Sequence, residues 1–157
     1  MSMIPEAVYK TIDSRLKDRN QMIGRAEEEL AKAEEDAFCL KSHQLSADKV
    51  QGGKRKKDAV EMAAIRIAEA KNKLEIAWKW EELFRKMDRI FPFESTSEGT
   101  VAGYIYQYGM SQADVCRVTG CDRQTVRARK DRYINRAALL AAQMGLIGEE
   151  VIVSDDD

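Results

Sequence analysis

Two prolines and nine glycines in 157 residues are too few for a chain of many short strands and turns. With Ala, Glu, Lys, Leu and Arg dominating, the composition is that of long helices. No stretch approaches the roughly 18 consecutive apolar residues of a membrane span, and the amino terminus lacks the basic-then-apolar pattern of a signal peptide. A soluble, cytoplasmic protein without a membrane partner is therefore expected. One histidine, His43, cannot build a Ser/His/Asp or Cys/His set, and no glycine-rich phosphate loop is present. No catalytic residue, no enzyme activity and no cofactor are expected. Cys39, Cys116 and Cys121 are an odd number of thiols inside helical patterns, which argues against a disulfide framework and for a reducing compartment. Cys116 and Cys121 lie five apart with no ligand-type neighbour, so they read as small buried residues rather than metal ligands.

The chain is 44% apolar and 34% charged, enough to bury one ordinary domain or one small domain plus an extended element. The net charge of −1 hides a segregation. Between Val115 and Arg136 stand seven basic residues (Arg117, Arg123, Arg127, Arg129, Lys130, Arg132, Arg136) against Asp122 and Asp131. After residue 145 the charged residues are all acidic: Glu149, Glu150 and Asp155 to Asp157. A basic stripe on a neutral chain points to a polyanion bound at one place.

The fold class expected is all-α: a long antiparallel, coiled-coil-like helical hairpin followed by a small helix-turn-helix domain. Pro5 suits a first helical turn. Tyr9, Ile12, Leu16, Ile23, Ala26, Leu30, Ala33, Ala37 and Leu40 then recur at steps of three and four, broken only at Arg19, which describes one helix ending near His43. Ser46 to Lys57 holds Gly52-Gly53 and the run Lys54, Arg55, Lys56, Lys57 and reads as an exposed connection. That run is a candidate second basic contact for nucleic acid, against the simpler reading of a solvated loop. A second helix is predicted from Asp58, with Val60, Ala63, Ile67, Ala70, Leu74 and Ala77 on one stripe and Ile76, Trp80, Leu83, Met87 and Ile90 on another. The two helices pair with each other or each with a second chain; the second stripe needs a cover, either the carboxy-terminal domain or a partner. Phe91-Pro92 ends the helix. The boundaries are 1–91 for the hairpin, 92–99 for a linker, 100–148 for the helix-turn-helix domain and 149–157 for an acidic tail.

In the third region Val101, Tyr104, Ile105 and Tyr108 form one apolar face stopped by Gly109. Ser111 caps a short helix with Asp114 three residues on, and Val115, Cys116 and Val118 supply its buried side. Thr119-Gly120-Cys121 makes the turn and Asp122 caps a third helix, with Thr125 three residues on. A helix-turn-helix that reads DNA needs a small residue in its first helix, a glycine in the turn and an apolar anchor in its second helix. Cys116, Gly120 and Val126 occupy those places. Arg123, Gln124, Arg127 and Asp131 then face outward on a helix 123–136, and Arg123, Gln124 and Arg127 are the candidate base readers, since arginine bridges guanine O6 and N7 and glutamine pairs with adenine. Ser111, Gln112, Arg117, Lys130 and Arg132 are the candidate phosphate contacts. Arg129 occupies a position that such units fill with an aliphatic side chain, so either its stem covers the core or the helix is rotated. Ala137 to Met144 carry the helix on towards Gly145, as an interface or as a core helix within one chain.

The order of a long helix, a polar connection Ser46 to Gly53, a second long helix, Tyr104-Ile105-Tyr106, Gly109-Met110-Ser111 and the turn resembles the phage-encoded transcriptional regulators of the ArpU and RinA type, whose carboxy-terminal part is sigma-factor-like. Asp122 to Arg127 matches the start of their reading helix, and Arg129 departs from its apolar habit. The resemblance implies a sequence-specific regulator of phage or prophage genes in a bacterial host cell, acting beside RNA polymerase. The basic helix-turn-helix makes double-stranded DNA the expected partner, and the apolar end of the third helix makes a homo-oligomer, a dimer foremost, the expected assembly. Two other readings stay open: a small terminase-like protein that selects DNA for packaging, and a helical adaptor that binds protein only.

Overall fold

The computed structural model describes residues 4–46 and 53–148, with side chains outside 41–57. Among the described residues it contains no strand, only six α-helices and one π-helical turn: α1 (Glu6–Lys17), α2 (Arg19–Ser46), α3 (Gly53–Ile90), α4 (Ser97–Ala102), the π-turn (Gly103–Gln107), α5 (Gln112–Thr119) and α6 (Arg123–Gln143). No helix among them is long and apolar enough to cross a membrane. The chain divides into two compact units, Asn20–Trp78 and Met1–Arg19 with Lys79–Asp157. The acidic segment 149–157 lies outside the described residues.

In the Asn20–Trp78 unit α2 and α3 form an antiparallel, hairpin-like pair. Ala26, Leu74 and Ala77 are buried between them, with Met22, Ile23 and Leu30 packed alongside. Lys73 Nζ reaches Glu29 Oε2 across the pair at 3.1 Å. These are residues of the predicted stripes, apart from Met22. Burial weakens along α3, where Val60, Met62 and Ile65 are exposed.

Two helix boundaries differ from the sequence-based expectation. The single amino-terminal helix is two, separated at Asp18, whose backbone (φ −89°, ψ 0°) closes α1 with its N–H on the Ser14 and Leu16 carbonyls. The break falls beside the one non-apolar member of the series, Arg19. Its Nη2 donates to Asp88 Oδ2 at 2.9 Å and to Glu81 Oε1 at 3.2 Å, and its guanidinium lies 5.4 Å from the centre of the Phe84 ring. The second difference is at the hairpin tip: α2 runs to Ser46 and α3 begins at Gly53, five residues before Asp58. Lysine and arginine are good helix formers, so a basic run without an apolar period need not leave a helix. The side chains of Lys54, Arg55, Lys56 and Lys57 lie outside the described residues.

The other unit is built around α1, the end of α3, and α6. Ile12 and Leu16 of α1, Leu83, Phe84 and Met87 of α3, and Ile134 of α6 are all 3% exposed or less. The Trp80–Met87 stripe is thus covered within the chain, with only its ends, Ile76 and Ile90, exposed. Ala137, Ala138 and Ala141 are completely buried, which makes the alanine-rich extension of α6 a core helix. It closes at Gly145 (φ +74°) with Leu146 N–H on the Ala141 carbonyl and Gly145 N–H on that of Ala142, a paired closure that the left-handed glycine makes possible.

α4 begins inside the stretch expected to be linker. Thr96 Oγ1 accepts from Gly99 N–H at 3.0 Å and starts it. The chain then widens into the π-turn, where the Tyr108 N–H reaches back five residues to the Gly103 carbonyl. The Phe93 ring lies so close to Gly103 that a β-carbon there would sit 2.1 Å from it. Val101 is fully buried as expected, but Tyr108 is exposed: the extra residue of the π-turn rotates positions after 103 away from simple α-helical spacing.

Candidate nucleic-acid interface

Local capping chemistry sets α5, its turn and α6. Ser111 Oγ accepts from Asp114 N–H at 3.2 Å, and Asp122 Oδ1 from Thr125 N–H at 2.7 Å. Hydrogen bonding of the Asp114 carboxyl to the Ser111 hydroxyl and then to the Arg117 guanidinium, and of the Asp122 carboxyl to the Thr125 hydroxyl and then its N–H, holds both carboxyls below the usual aspartate range. Gly120 takes the left-handed conformation at φ +71° with its N–H on the Cys116 carbonyl. Val115 and Val126 are completely buried against Val101, with Tyr104, Ile105, Met110, Cys116 and Cys121 packed around them. Val118, expected on the buried side of α5, is exposed, because the contact needs only one face of an eight-residue helix.

With Val126 inside, Arg123, Gln124 and Arg127 are exposed. Arg129 is half-buried and its Nη1 donates to Cys121 Sγ at 3.3 Å. Its stem therefore covers the core, and α6 has the rotation that the Val126 anchor requires. Ser111 and Gln112 are exposed at the start of α5, the Ser111 hydroxyl serving as its cap. Arg117 is exposed and pairs with Asp114; Arg132 is exposed and reaches Glu98 Oε1 at 3.1 Å.

Two α6 residues do not stand free as expected. The Lys130 side chain is only 12% exposed, 3.5 Å from Asp13 Oδ1 and 5.9 Å from the centre of the Tyr9 ring. Asp131 accepts from the Tyr9 hydroxyl at 2.8 Å. Both are turned to α1, which packs along α6. Asp13 is the hub of this junction: its Oδ1 also accepts from the Tyr106 hydroxyl at 2.5 Å, and its Oδ2 pairs with Lys17 at 3.1 Å. Burial pushes the Tyr106 and Tyr9 hydroxyls well above the usual phenol range, with the adjoining carboxylates adding to it. Tyr133, stacked beside Tyr106 at 6.4 Å, is pushed up to about 12 by burial first and Asp88 second.

Burial by itself raises the Asp13 pKa, but the Tyr106 hydrogen bond, Lys17 and Lys130 together outweigh it and hold the carboxyl below 3.8. A depressed native pKa stabilises the fold above the unfolded value and loses that stabilisation as pH falls through the native one. The contribution is therefore complete at neutral pH and lost in the acid range below 3.8. Asp13→Asn is expected to lower stability at pH 7 by about 1–3 kcal/mol and to flatten the acid limb of a stability-against-pH curve. An unchanged acid limb would show that Asp13 does not link the helices.

Sequence reasoning missed this junction entirely. Its pairs lie about a hundred residues apart (Tyr9 and Asp131, Asp13 and Tyr106), and Tyr106 stands off the apolar face that drew attention to Tyr104 and Ile105. Among the described residues no cluster of His, Cys, Asp and Glu suited to a metal ion occurs, and all three cysteines are free thiols. Compared with protein-family models, with curated proteins and with solved structures, the chain matches none of them.

Proposed function

We propose that this chain is a sequence-specific DNA-binding regulator of transcription in which α5 and α6 form a helix-turn-helix and α6 lies in the major groove. The observation that carries the reading is the division of α6: Val126 is wholly buried against Val115, while Arg123, Gln124 and Arg127, one turn of helix around it, face solvent. Those three side chains are the donors that discriminate guanine and adenine edges. Exposed Arg117, Arg132 and Gln112 supply phosphate contacts that fix register without reading sequence. A phage-type regulator acting beside RNA polymerase is the form of this function that the resemblance to the ArpU and RinA type suggests.

The test is selection of bound duplexes from a random library by the full chain at physiological salt. A defined site is expected. Arg123→Ala or Arg127→Ala should then relax discrimination at particular base pairs by about 1–3 kcal/mol each. Arg117→Ala should weaken all sequences alike and lower the salt slope by about one. Equal, sequence-blind losses from all three variants would refute base reading by α6. No salt-sensitive DNA binding at all would leave the protein-only adaptor as the better reading, and a ring of many chains on the selected DNA would favour the packaging role.

A further inference from the structure

A groove of about 920 Å³ opens between α1 and α6. α6 lines it with Gln124 and Arg127, the start of α5 with Gln112, and α1 with Glu6, Tyr9 and Lys10. Two of the candidate base readers thus share a concave surface with a helix more than a hundred residues away in sequence. We propose, resting on the DNA-binding reading above, that this groove receives a phosphodiester strand of the bound duplex and that Lys10 is its phosphate contact.

The role falls to Lys10 because Lys130, the lysine that α6 contributes to the lining, is committed elsewhere. Its ammonium is nearly enclosed between Asp13 and the Tyr9 ring, and drawing it out to a phosphate would strip a half-buried carboxylate of a partner, a costly exchange. Lys10 follows Tyr9 directly in α1 and is 73% exposed. Its partner is Glu6, one turn earlier on the same helix at 3.2 Å and itself 81% exposed. Exposed pairs at this spacing contribute little, so the ammonium is free to exchange Glu6 for a phosphate. Of the two remaining acids of the groove, Asp13 has its charge offset by two lysines. Asp13 is held by Tyr106, Lys17 and Lys130, and Asp131 accepts the Tyr9 hydroxyl. Beside Glu6, the groove presents outward Lys10, Arg127 and Arg132 with the amides of Gln112 and Gln124, donors suited to a phosphodiester strand and the base edges beside it.

The experiment measures binding of the full chain to its selected duplex over a series of salt concentrations. Lys10→Ala is expected to weaken binding about 3- to 10-fold at physiological salt, equally for matched and mismatched sites, and to lower the slope of log K against log salt by about 0.9. Glu6→Gln, which removes the competing carboxylate, should strengthen binding, and neither variant should shift the melting temperature. Lys130→Ala should lower that temperature instead. If Arg127→Ala loses discrimination while Lys10→Ala keeps both affinity and slope, the groove proposal falls and the reading of α6 stands. If Lys10→Ala changes preference at particular base pairs, the phosphate assignment is overturned. If no duplex is selected at all, the DNA-binding reading fails with it.

Discussion

Phe84→Ala is expected to destabilise the unit of Met1–Arg19 and Lys79–Asp157 by about 3–5 kcal/mol. Phe84 is the largest completely buried side chain described in the molecule. Its ring lies 6.1 Å from that of Trp80, tilted by 34°, and under the Arg19 guanidinium at 5.4 Å. Truncation removes the apolar surface, opens a cavity that a close-packed helical core collapses only in part, and leaves Arg19 over a void. A small domain has about 5–15 kcal/mol of total stability, so this one change should take away a large share of it. The measurement is urea unfolding followed by far-ultraviolet circular dichroism. Trp78, six residues earlier in the same helix but 53% exposed, provides the contrast: Trp78→Ala should stay within about 0.5 kcal/mol of the parent. A loss under 1 kcal/mol for Phe84→Ala would show that the ring is not packed as described.

Two glycine-to-alanine changes should move stability in opposite directions. Intrinsic propensity favours alanine in a helix by about 1 kcal/mol at either position. Gly24, inside α2, has nothing within 4 Å of an added β-carbon, so Gly24→Ala should gain about 0.5–1 kcal/mol. Gly99, in α4, faces its own chain. A β-carbon there would lie 2.2 Å from the Phe91 carbonyl oxygen, 2.6 Å from that of Pro92 and 2.5 Å from Thr96 Oγ1. Two of these atoms are backbone and the third is the cap of the helix, so none can swing aside. Overpacking of this kind costs about 1–3 kcal/mol or more, which exceeds the propensity gain, and Gly99→Ala should be net destabilising. Thermal melts of both variants decide it; a stabilised Gly99→Ala would mean that the Phe91–Thr96 turn is not closed over α4.

What the residues disclose in advance, and what they conceal, divides by distance along the chain. Ser111, Gly109, Gly120, Asp122 and Gly145 all do what their local patterns predict, because a cap or a left-handed closure is decided within about five residues. The antiparallel α2–α3 pair is legible for a related reason: helical spacing reports which face must be buried. The spacing says less about where a helix breaks or begins. Asp18 interrupts an apolar series that would have continued, and the basic run at 54–57 lies in the backbone of α3 although it has no apolar period. The candidate interface is legible along α6 itself, where Val126 fixes the exposure of Arg123, Gln124 and Arg127. It is not legible at Lys130 and Asp131, whose surroundings are made by Tyr9 and Asp13. A charge stripe read on one helix counts every cation as available, and only the fold reveals which have already been taken.

The π-turn before Gly109 amounts to one residue of slack in the chain. A deletion within 103–107 would allow an ordinary α-helix to form there, with each later side chain turned by about 100°. Tyr106 would then point its hydroxyl away from Asp13, and α1 would lose a tether that joins it to the π-turn. In any lineage of this protein, length at that turn should be closely held, and a chain one residue shorter there should carry a compensating change at residue 13.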